Sequence, residues 1–200
     1  MPSEFELIRR YFTRPGRDGG VLLGVGDDAA LLSPPAGEVL AVTVDTLVAG
    51  RHFPLTTPPA AIAHKALAVN LSDLAAMGAT PRWFLLALTL PEASEPFLAE
   101  FAEGLFALAA RAGIALVGGD TTRGPLAISI TAIGSVPPGD ALRRDGARPG
   151  DGIYVSGTVG DAGLGLWQAL QPGRSSLTPE QAAFVRQRLD YPQPRLALGM

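Results

Sequence analysis

Hydrophobic positions along the chain follow two periods, which together predict a mixed α/β protein. Apolar runs of strand type predict β-strands at 21–25, 29–32, 39–47, 83–90, 114–117, 126–136 and 152–156. Apolar stripes of helical period predict helices at 4–12, 58–77, 96–112, 161–170 and 179–189. Ser3 is a candidate cap for the first helix, and Gly78 and Gly113 are candidate C-caps. The predicted fold class is α+β, with helices on one side of a mixed sheet.

A polar stretch rich in Gly, Pro and Arg divides the chain into two unequal parts. Residues 139–150 predict a hinge between an N-terminal domain at 1–138 and the beginning of a second domain at 151–200. One strand and two helices are too few to close a core, so we expect the second domain to be incomplete.

Composition narrows the class of protein. A hydrophobic fraction of 47% excludes a disordered chain. A net charge of −3 without a basic run gives no attraction to nucleic acid or to an anionic membrane. No signal peptide and no apolar stretch of about 20 residues is visible, which predicts a soluble, cytoplasmic protein. The absence of cysteine excludes disulfides, thiolate zinc sites and cysteine nucleophiles.

Aspartates recur beside Gly and Thr at strand ends and on one helix, at Asp27, Asp28, Asp45, Asp73 and Asp120. Because an unpaired carboxylate is costly to bury, this pattern indicates a site for a hard cation such as Mg²⁺. Other interpretations remain open for each position. Asp27 and Asp28 also fit an Asx-turn, and Asp45 fits a helix N-cap. The two-residue alternation of a strand places Thr43 and Asp45 on one face.

Further polar residues are candidates for the same chemistry. The spacing of Asn70 and Asp73 makes them neighbours on a helix, where either a metal ion or the backbone would satisfy Asn70. Gly118 and Gly119, before Asp120, allow backbone N–H groups to approach an anion, although such a turn alone is a weak signal. Two further sets are His52 in a loop and the hinge arginines Arg143, Arg144 and Arg148. For His64 and Lys65, near the start of a helix, we expect a solvated or helix-dipole-related role.

Four long segments, at 44–53, 65–79, 117–125 and 144–151, closely resemble thiamine-monophosphate kinases in order and spacing. This resemblance runs from Phe5 to about Gly199. It implies in-line phosphoryl transfer from ATP to thiamine monophosphate with several Mg²⁺ ions and no phosphoenzyme. It also implies a homodimer in which the N-terminal sheets pair into a barrel.

The resemblance implies a role for each matching position. Asp28, Asp45, Asp73 and Asp120 match magnesium ligands, with Thr43 and the backbone carbonyl of Val44 as secondary ligands. In addition, Gly119, Asp120 and Arg144 match ATP contacts, and His52 matches a contact to thiamine monophosphate. Asp45, Asp73 and Asp120 are therefore the candidate catalytic residues.

Kinases of this family are longer by about one small domain. We therefore expect little or no kinase activity from these 200 residues alone. Two alternatives stay open: another ATP-using member of the wider superfamily, resembling aminoimidazole ribonucleotide synthetase, and a nucleotide- or metal-binding remnant without turnover. The absence of cysteine argues against selenophosphate synthesis.

Overall fold

The computed structural model of the chain describes residues 4–14, 19–171, 173–174 and 176–200. The strands are β1 (Val21–Leu23), β2 (Leu31–Leu32), β3 (Val39–Val48), β4 (Thr80–Leu90), β5 (Ala115–Arg123) and β6 (Ala127–Val136). The helices are α1 (Glu4–Leu7), α2 (Pro59–Ala76), α3 (Glu95–Ala112), α4 (Asp161–Leu170), α5 (Pro179–Asp190) and α6 (Leu196–Gly199). A π-helical turn, Ile8–Phe12, continues α1.

The central sheet has the strand order β3-β6-β4-β5. Strand β6 pairs antiparallel with both β3 and β4, whereas β5 pairs parallel with β4. The parallel pair follows from the crossover through α3, since parallel neighbours need a long connection. Strands β3 and β5 are therefore the two edges of this sheet.

The sheet has one covered face and one open face. On the covered face, Ile128, Ile130 and Ala132 of β6 are fully buried and belong to a core shared with α2 and α3. On the open face, Val42 and Val44 of β3 are each 62% exposed. Alternate residues of one strand thus meet two different environments, as the period of two requires.

Helices α2 and α3 pack together at Gly104. A Cβ atom built on this residue would lie 2.3 Å from the carbonyl oxygen of Ala60. The helices end as the sequence predicts, because Gly113 adopts a left-handed conformation with φ of 70° and Gly78 one with φ of 69°. The mixed sheet flanked by helices confirms the predicted fold class.

Several expectations about individual segments are wrong. Residues 152–156 form no strand, and no described strand lies beside them to accept their backbone hydrogen bonds. Strand β5 extends to Arg123, through glycines that we read as a turn. His64 and Lys65 are not solvated, since each is only 7% exposed where α2 meets the chain around Asp190. Ser3 and residues 15–18 of the predicted N-terminal loop lie outside the described residues.

Across the described ranges, no helix combines the length and apolar character that crossing a bilayer would need. The C-terminal residues contact the first part of the chain through α2, which meets both α5 and α6. One of these contacts joins Nε2 of His64 to the carbonyl oxygen of Pro192 over 2.8 Å.

Candidate active site

The first group of predicted site residues lies where β3 meets α2, and we call it the β3–α2 cluster: Thr43, Asp45, His52 and Asp73. Strand alternation turns Thr43 and Asp45 towards the covered face, where α2 carries Asp73. The hydroxyl of Thr43 donates to Oδ2 of Asp73 over 2.7 Å. The cluster thus brings two carboxylates and a hydroxyl to one edge of the sheet.

Electrostatics within the β3–α2 cluster favour a bound cation. Partial burial raises the pKa of Asp45, and the neighbouring carboxylate of Asp73 raises it further, while His52 acts in the opposite direction. Oxygen ligands from carboxylates and hydroxyls are the ligands that Mg²⁺ prefers. A divalent cation would relieve the repulsion between the two carboxylates, so these residues fit Mg²⁺.

His52 is held by its own turn. The backbone N–H of Val48 donates to Nδ1 of His52 over 3.0 Å. Because Nδ1 accepts this bond, the neutral ring carries its proton on Nε2. That N–H group is available as a donor beside Asp45, since the side chain is exposed.

The second group surrounds a cavity of about 420 Å³ beside β5, which we call the N-terminal cavity. Asp27, Asp28 and residues 118–121 line one part of it, and Leu86 and Leu116 another. Its remaining wall is apolar and comes from the first helical segment, through Phe5, Ile8 and Phe12. A carboxylate-rich side therefore faces an apolar side.

Gly119 can only be glycine in this strand. A Cβ atom at this position would lie 1.9 Å from the carbonyl oxygen of Leu86, and its φ of 151° is unusual for other residues. The close approach of β5 to β4 therefore explains the glycine. It also leaves the backbone next to Asp120 uncovered by side chains.

The predicted aspartates do not converge on one point within a single copy of the chain. Asp120 shares a row of the sheet with Ala87, Ser129 and Thr46, and thus lies on the opposite face from Asp45. Two strands separate the edges, which corresponds to roughly 14 Å. No three His, Cys, Asp or Glu side chains among the described residues are grouped closely enough to hold a metal ion alone.

Four other predicted positions have distinct surroundings. Arg144 is exposed in the loop after β6 and lines neither the N-terminal cavity nor the β3–α2 cluster. The side chain of Val44 is on the open face. The Nδ2 group of Asn70 donates to the carbonyl oxygen of Ala66, as the backbone alternative predicted, while its buried Oδ1 has no partner. Oδ1 of Asp27 accepts from the backbone N–H of Asp28, which is a contact to the next residue and not the contact two residues on that defines an Asx-turn.

The apolar wall of the N-terminal cavity is the part of the site that residue chemistry did not identify. Phe5, Ile8 and Phe12 share one side of the first helical segment by their spacing. That spacing alone does not distinguish a core stripe from a cavity wall. The 77% exposure of Phe5 at the cavity mouth is visible only in the fold.

The chain is similar to a family model, to curated relatives and to solved structures. Residues 26–136 match the family model for the N-terminal domain of AIR synthase related protein. The thiamine-monophosphate kinase of Salmonella typhimurium is 52% identical over 199 residues, covering 98% of this chain and 61% of the relative. The crystal structure of thiamine-monophosphate kinase from Stenotrophomonas maltophilia K279a has 53% identity and a TM-score of 0.88, covering 98% of this chain and 63% of that one.

A solved structure of AaThiL complexed with AMPPCP and TMP is also similar. It has 32% identity and a TM-score of 0.75, covering 84% of this chain and 53% of that one. The chain thus spans about 60% of the length of the curated relatives from Salmonella typhimurium and Escherichia coli that it matches.

Proposed function

The chain belongs to the family of AIR synthase related proteins, and we propose that it acts in a thiamine-monophosphate kinase that phosphorylates thiamine monophosphate with ATP. The observation that carries this proposal is the N-terminal cavity, where a glycine-rich strand and carboxylates face an apolar wall. This combination suits a nucleotide, whose base is apolar and whose phosphates need cations and backbone amides. The products would be thiamine diphosphate and ADP, in thiamine diphosphate biosynthesis in the cytoplasm.

We place ATP in the N-terminal cavity. Its base would pack against Phe5, Ile8 and Phe12, and its phosphates would lie near Gly119 and Asp120. Asp28 and Asp120 would hold Mg²⁺ there, and Arg144 would reach the phosphates from the loop that follows β6. Apolar contact fixes the base, while the short, flexible neighbours of Asp120 let the backbone approach an anion.

The β3–α2 cluster would hold further Mg²⁺ through Asp45, Asp73, Thr43 and the carbonyl of Val44. Bound Mg²⁺ would neutralise phosphate charge during the transfer. The protein residues then act by positioning, since phosphoryl transfer needs no protein nucleophile. The hydroxyl of Thr43 orients Asp73. His52, with its proton on Nε2, would donate to the phosphate of thiamine monophosphate.

We further propose that the protein is a homodimer formed through the open face of the sheet. Val42 and Val44 on that face need cover from water. If two sheets close into a barrel with the two-fold along its axis, β5 of one copy lies beside β3 of the other. Asp120 would then approach the partner copy's Asp45, which unites the two groups of carboxylates.

The experiment that tests the function is calorimetric titration with AMPPCP and Mg²⁺, followed by an assay for thiamine diphosphate. We expect Asp120→Asn to weaken AMPPCP binding about tenfold or more, and Asp140→Asn, at an exposed loop position, to leave it unchanged. Turnover is to be measured both with this chain and with a protein that includes the remaining length of the relatives.

Two results would contradict the proposal. One is equal nucleotide affinity in the Asp120→Asn variant and the unmodified chain. The other is that the longer protein forms no thiamine diphosphate but consumes ATP with formylglycinamidine ribonucleotide, which would favour the aminoimidazole ribonucleotide synthetase-like alternative. Nucleotide binding without either reaction would indicate a binding remnant.

A further inference from the structure

A second cavity lies between α3 and the C-terminal residues, and none of the candidate site aspartates lines it. It has a volume of about 900 Å³ and is open to solvent, and we call it the C-terminal groove. Its floor includes His64 of α2, and its walls include Arg111 at the end of α3 and Arg195 before α6. The volume is within the range of small-molecule sites, about 300–1,000 Å³.

The charged residues that line the C-terminal groove in the described part of the chain are all basic. Among the described residues that line it there are two arginines and no Asp or Glu. Neither the side chain of Arg111 nor that of Arg195 makes an ion pair or a hydrogen bond within the described part of the chain. Two guanidinium groups therefore face a shared space with their hydrogen-bonding capacity unused.

The positions of these groups are partly fixed by their surroundings. A Cβ atom on Gly157 would lie 3.3 Å from Nη2 of Arg195, so this guanidinium rests against the turn at Gly157. Tyr191 packs edge-on against the ring of His64, with the ring centroids 5.1 Å apart. The bond from His64 Nε2–H to the carbonyl of Pro192 holds the same segment. The groove is thus lined by ordered contacts on its C-terminal side.

The remaining lining supplies both apolar and hydrogen-bonding surface. Leu108 and Leu196 offer aliphatic side chains, and Gln187 and Gln193 offer amides. Burial lowers the pKa of His64, and the charge of Arg111 acts in the same direction. The ring is therefore neutral near pH 7, and its Nδ1 keeps a lone pair that can accept a hydrogen bond.

We propose that the C-terminal groove binds a small organic phosphate monoester, with Arg111 and Arg195 on the phosphate and the apolar wall on the organic group. Arginine pairs with phosphate through two parallel N–H···O bonds, and two guanidiniums match the two charges of a monoester. This site does not depend on the kinase function, because none of the residues that line it also lines the N-terminal cavity.

The test is calorimetric titration of the 200-residue chain with phenyl phosphate, and in parallel with inorganic phosphate and with benzyl alcohol. We expect phenyl phosphate to bind more tightly than either inorganic phosphate or benzyl alcohol. The double variant Arg111→Ala/Arg195→Ala should weaken its binding at least about tenfold, since two charge-assisted contacts are lost. Arg174→Ala, an exposed arginine outside the groove, should change the affinity less than twofold.

The controls distinguish binding in the C-terminal groove from binding in the nucleotide site. They also distinguish a loss of binding from a loss of folding. Circular dichroism and the melting temperature report whether the double variant is folded, and Arg111→Lys/Arg195→Lys retains both charges and should retain part of the affinity. Asp120→Asn should leave phenyl phosphate binding unchanged. No measurable binding, equal binding by the double variant, equal affinity for benzyl alcohol, or loss of binding in Asp120→Asn would each overturn the proposal.

Discussion

At the scale of single residues, the paired carboxylates of Asp45 and Asp73 determine the electrostatics of the β3–α2 cluster. Burial and mutual repulsion raise the pKa of Asp45, so its ionised form is disfavoured in the folded chain. The stability that Asp45 contributes is therefore greatest at low pH, where its carboxyl group is protonated. It decreases as the pH rises through the elevated pKa. The proposed cation site is thus a source of instability when no cation is bound.

The variant Asp45→Asn tests this conclusion. We expect its melting temperature without Mg²⁺ to equal or exceed that of the unmodified chain at pH 7.5, because one of two repelling charges is removed. The rise in melting temperature on adding Mg²⁺ should shrink, since a ligand is lost. Differential scanning fluorimetry measures both, with Asp140→Asn as the matched change at an exposed position. A variant that melts lower without Mg²⁺ yet gains the same stabilisation from it would contradict the expectation.

His64 gives a second prediction at this scale. Because burial lowers its pKa below the usual value of about 6.5, the stability it contributes is present at pH 7.5 and is lost as the pH falls below that value. In His64→Gln, the difference between urea midpoints at pH 7.5 and pH 5.5 should be smaller. Tyr191→Phe keeps the imidazole and the ring contact, and should keep the full difference. Equal pH dependence in all three proteins would disprove this role.

At the scale of elements, the helices and most strands were predictable, whereas strand ends that depend on pairing were not. Helices 161–170 and 179–189 agree with α4 and α5 because apolar spacing is a local signal, and Thr178 also caps α5 through its side chain. Strand β5 runs through Gly118 and Gly119, which sequence propensity assigns to a turn, because pairing with β4 outweighs that propensity. The segment 152–156 shows the converse, since β-branched composition without a partner strand gives no strand.

The contact between α2 and α3 yields a prediction about helix packing. Gly104→Ala should lower the free energy of unfolding by about 2 kcal/mol, because the new methyl group would meet the backbone of Ala60. Gly163→Ala is the matched control, since a Cβ there meets nothing within 4 Å in helix α4. That change should be neutral or stabilising by up to about 1 kcal/mol, as alanine favours the helix. Urea unfolding followed by circular dichroism compares the two, and similar effects at both positions would refute the packing argument.

At the scale of the whole molecule, strand order decides how the candidate site is divided. The residue types of Asp28, Asp45, Asp73 and Asp120 were readable from their neighbours in the sequence. That Asp45 and Asp120 would lie at opposite edges was not, because the order β3-β6-β4-β5 depends on contacts between distant segments. The residue types of the candidate site were thus predictable, and their arrangement was not.

This division gives a prediction for the proposed dimer. Asp45→Asn and Asp120→Asn chains, each defective in binding AMPPCP with Mg²⁺, should recover binding at about a quarter of the sites when they are unfolded, mixed and refolded together. A mixed dimer has one site with both changes and one site with neither. Calorimetry measures the recovered stoichiometry, and no recovery in the mixture would place the complete site within one copy.

The same dimer should depend on the open face of the sheet. Val42→Lys should shift the mass measured by light scattering from dimer to monomer, because it places a charge in the interface. Leu55→Lys, at a residue that is 80% exposed and outside the sheet, should leave the mass unchanged. A monomeric unmodified chain would contradict the proposal directly.

The alternation along β3 also limits how this segment can vary in length. Thr43 and Asp45 lie on the covered face, and Val42 and Val44 lie on the open one. Inserting or deleting one residue between them would exchange the faces, so that valines would replace the hydroxyl and carboxylate beside α2. Substitutions in this strand change one contact at a time, whereas a single-residue insertion would remove the proposed cation site and place Asp45 on the opposite face in one step.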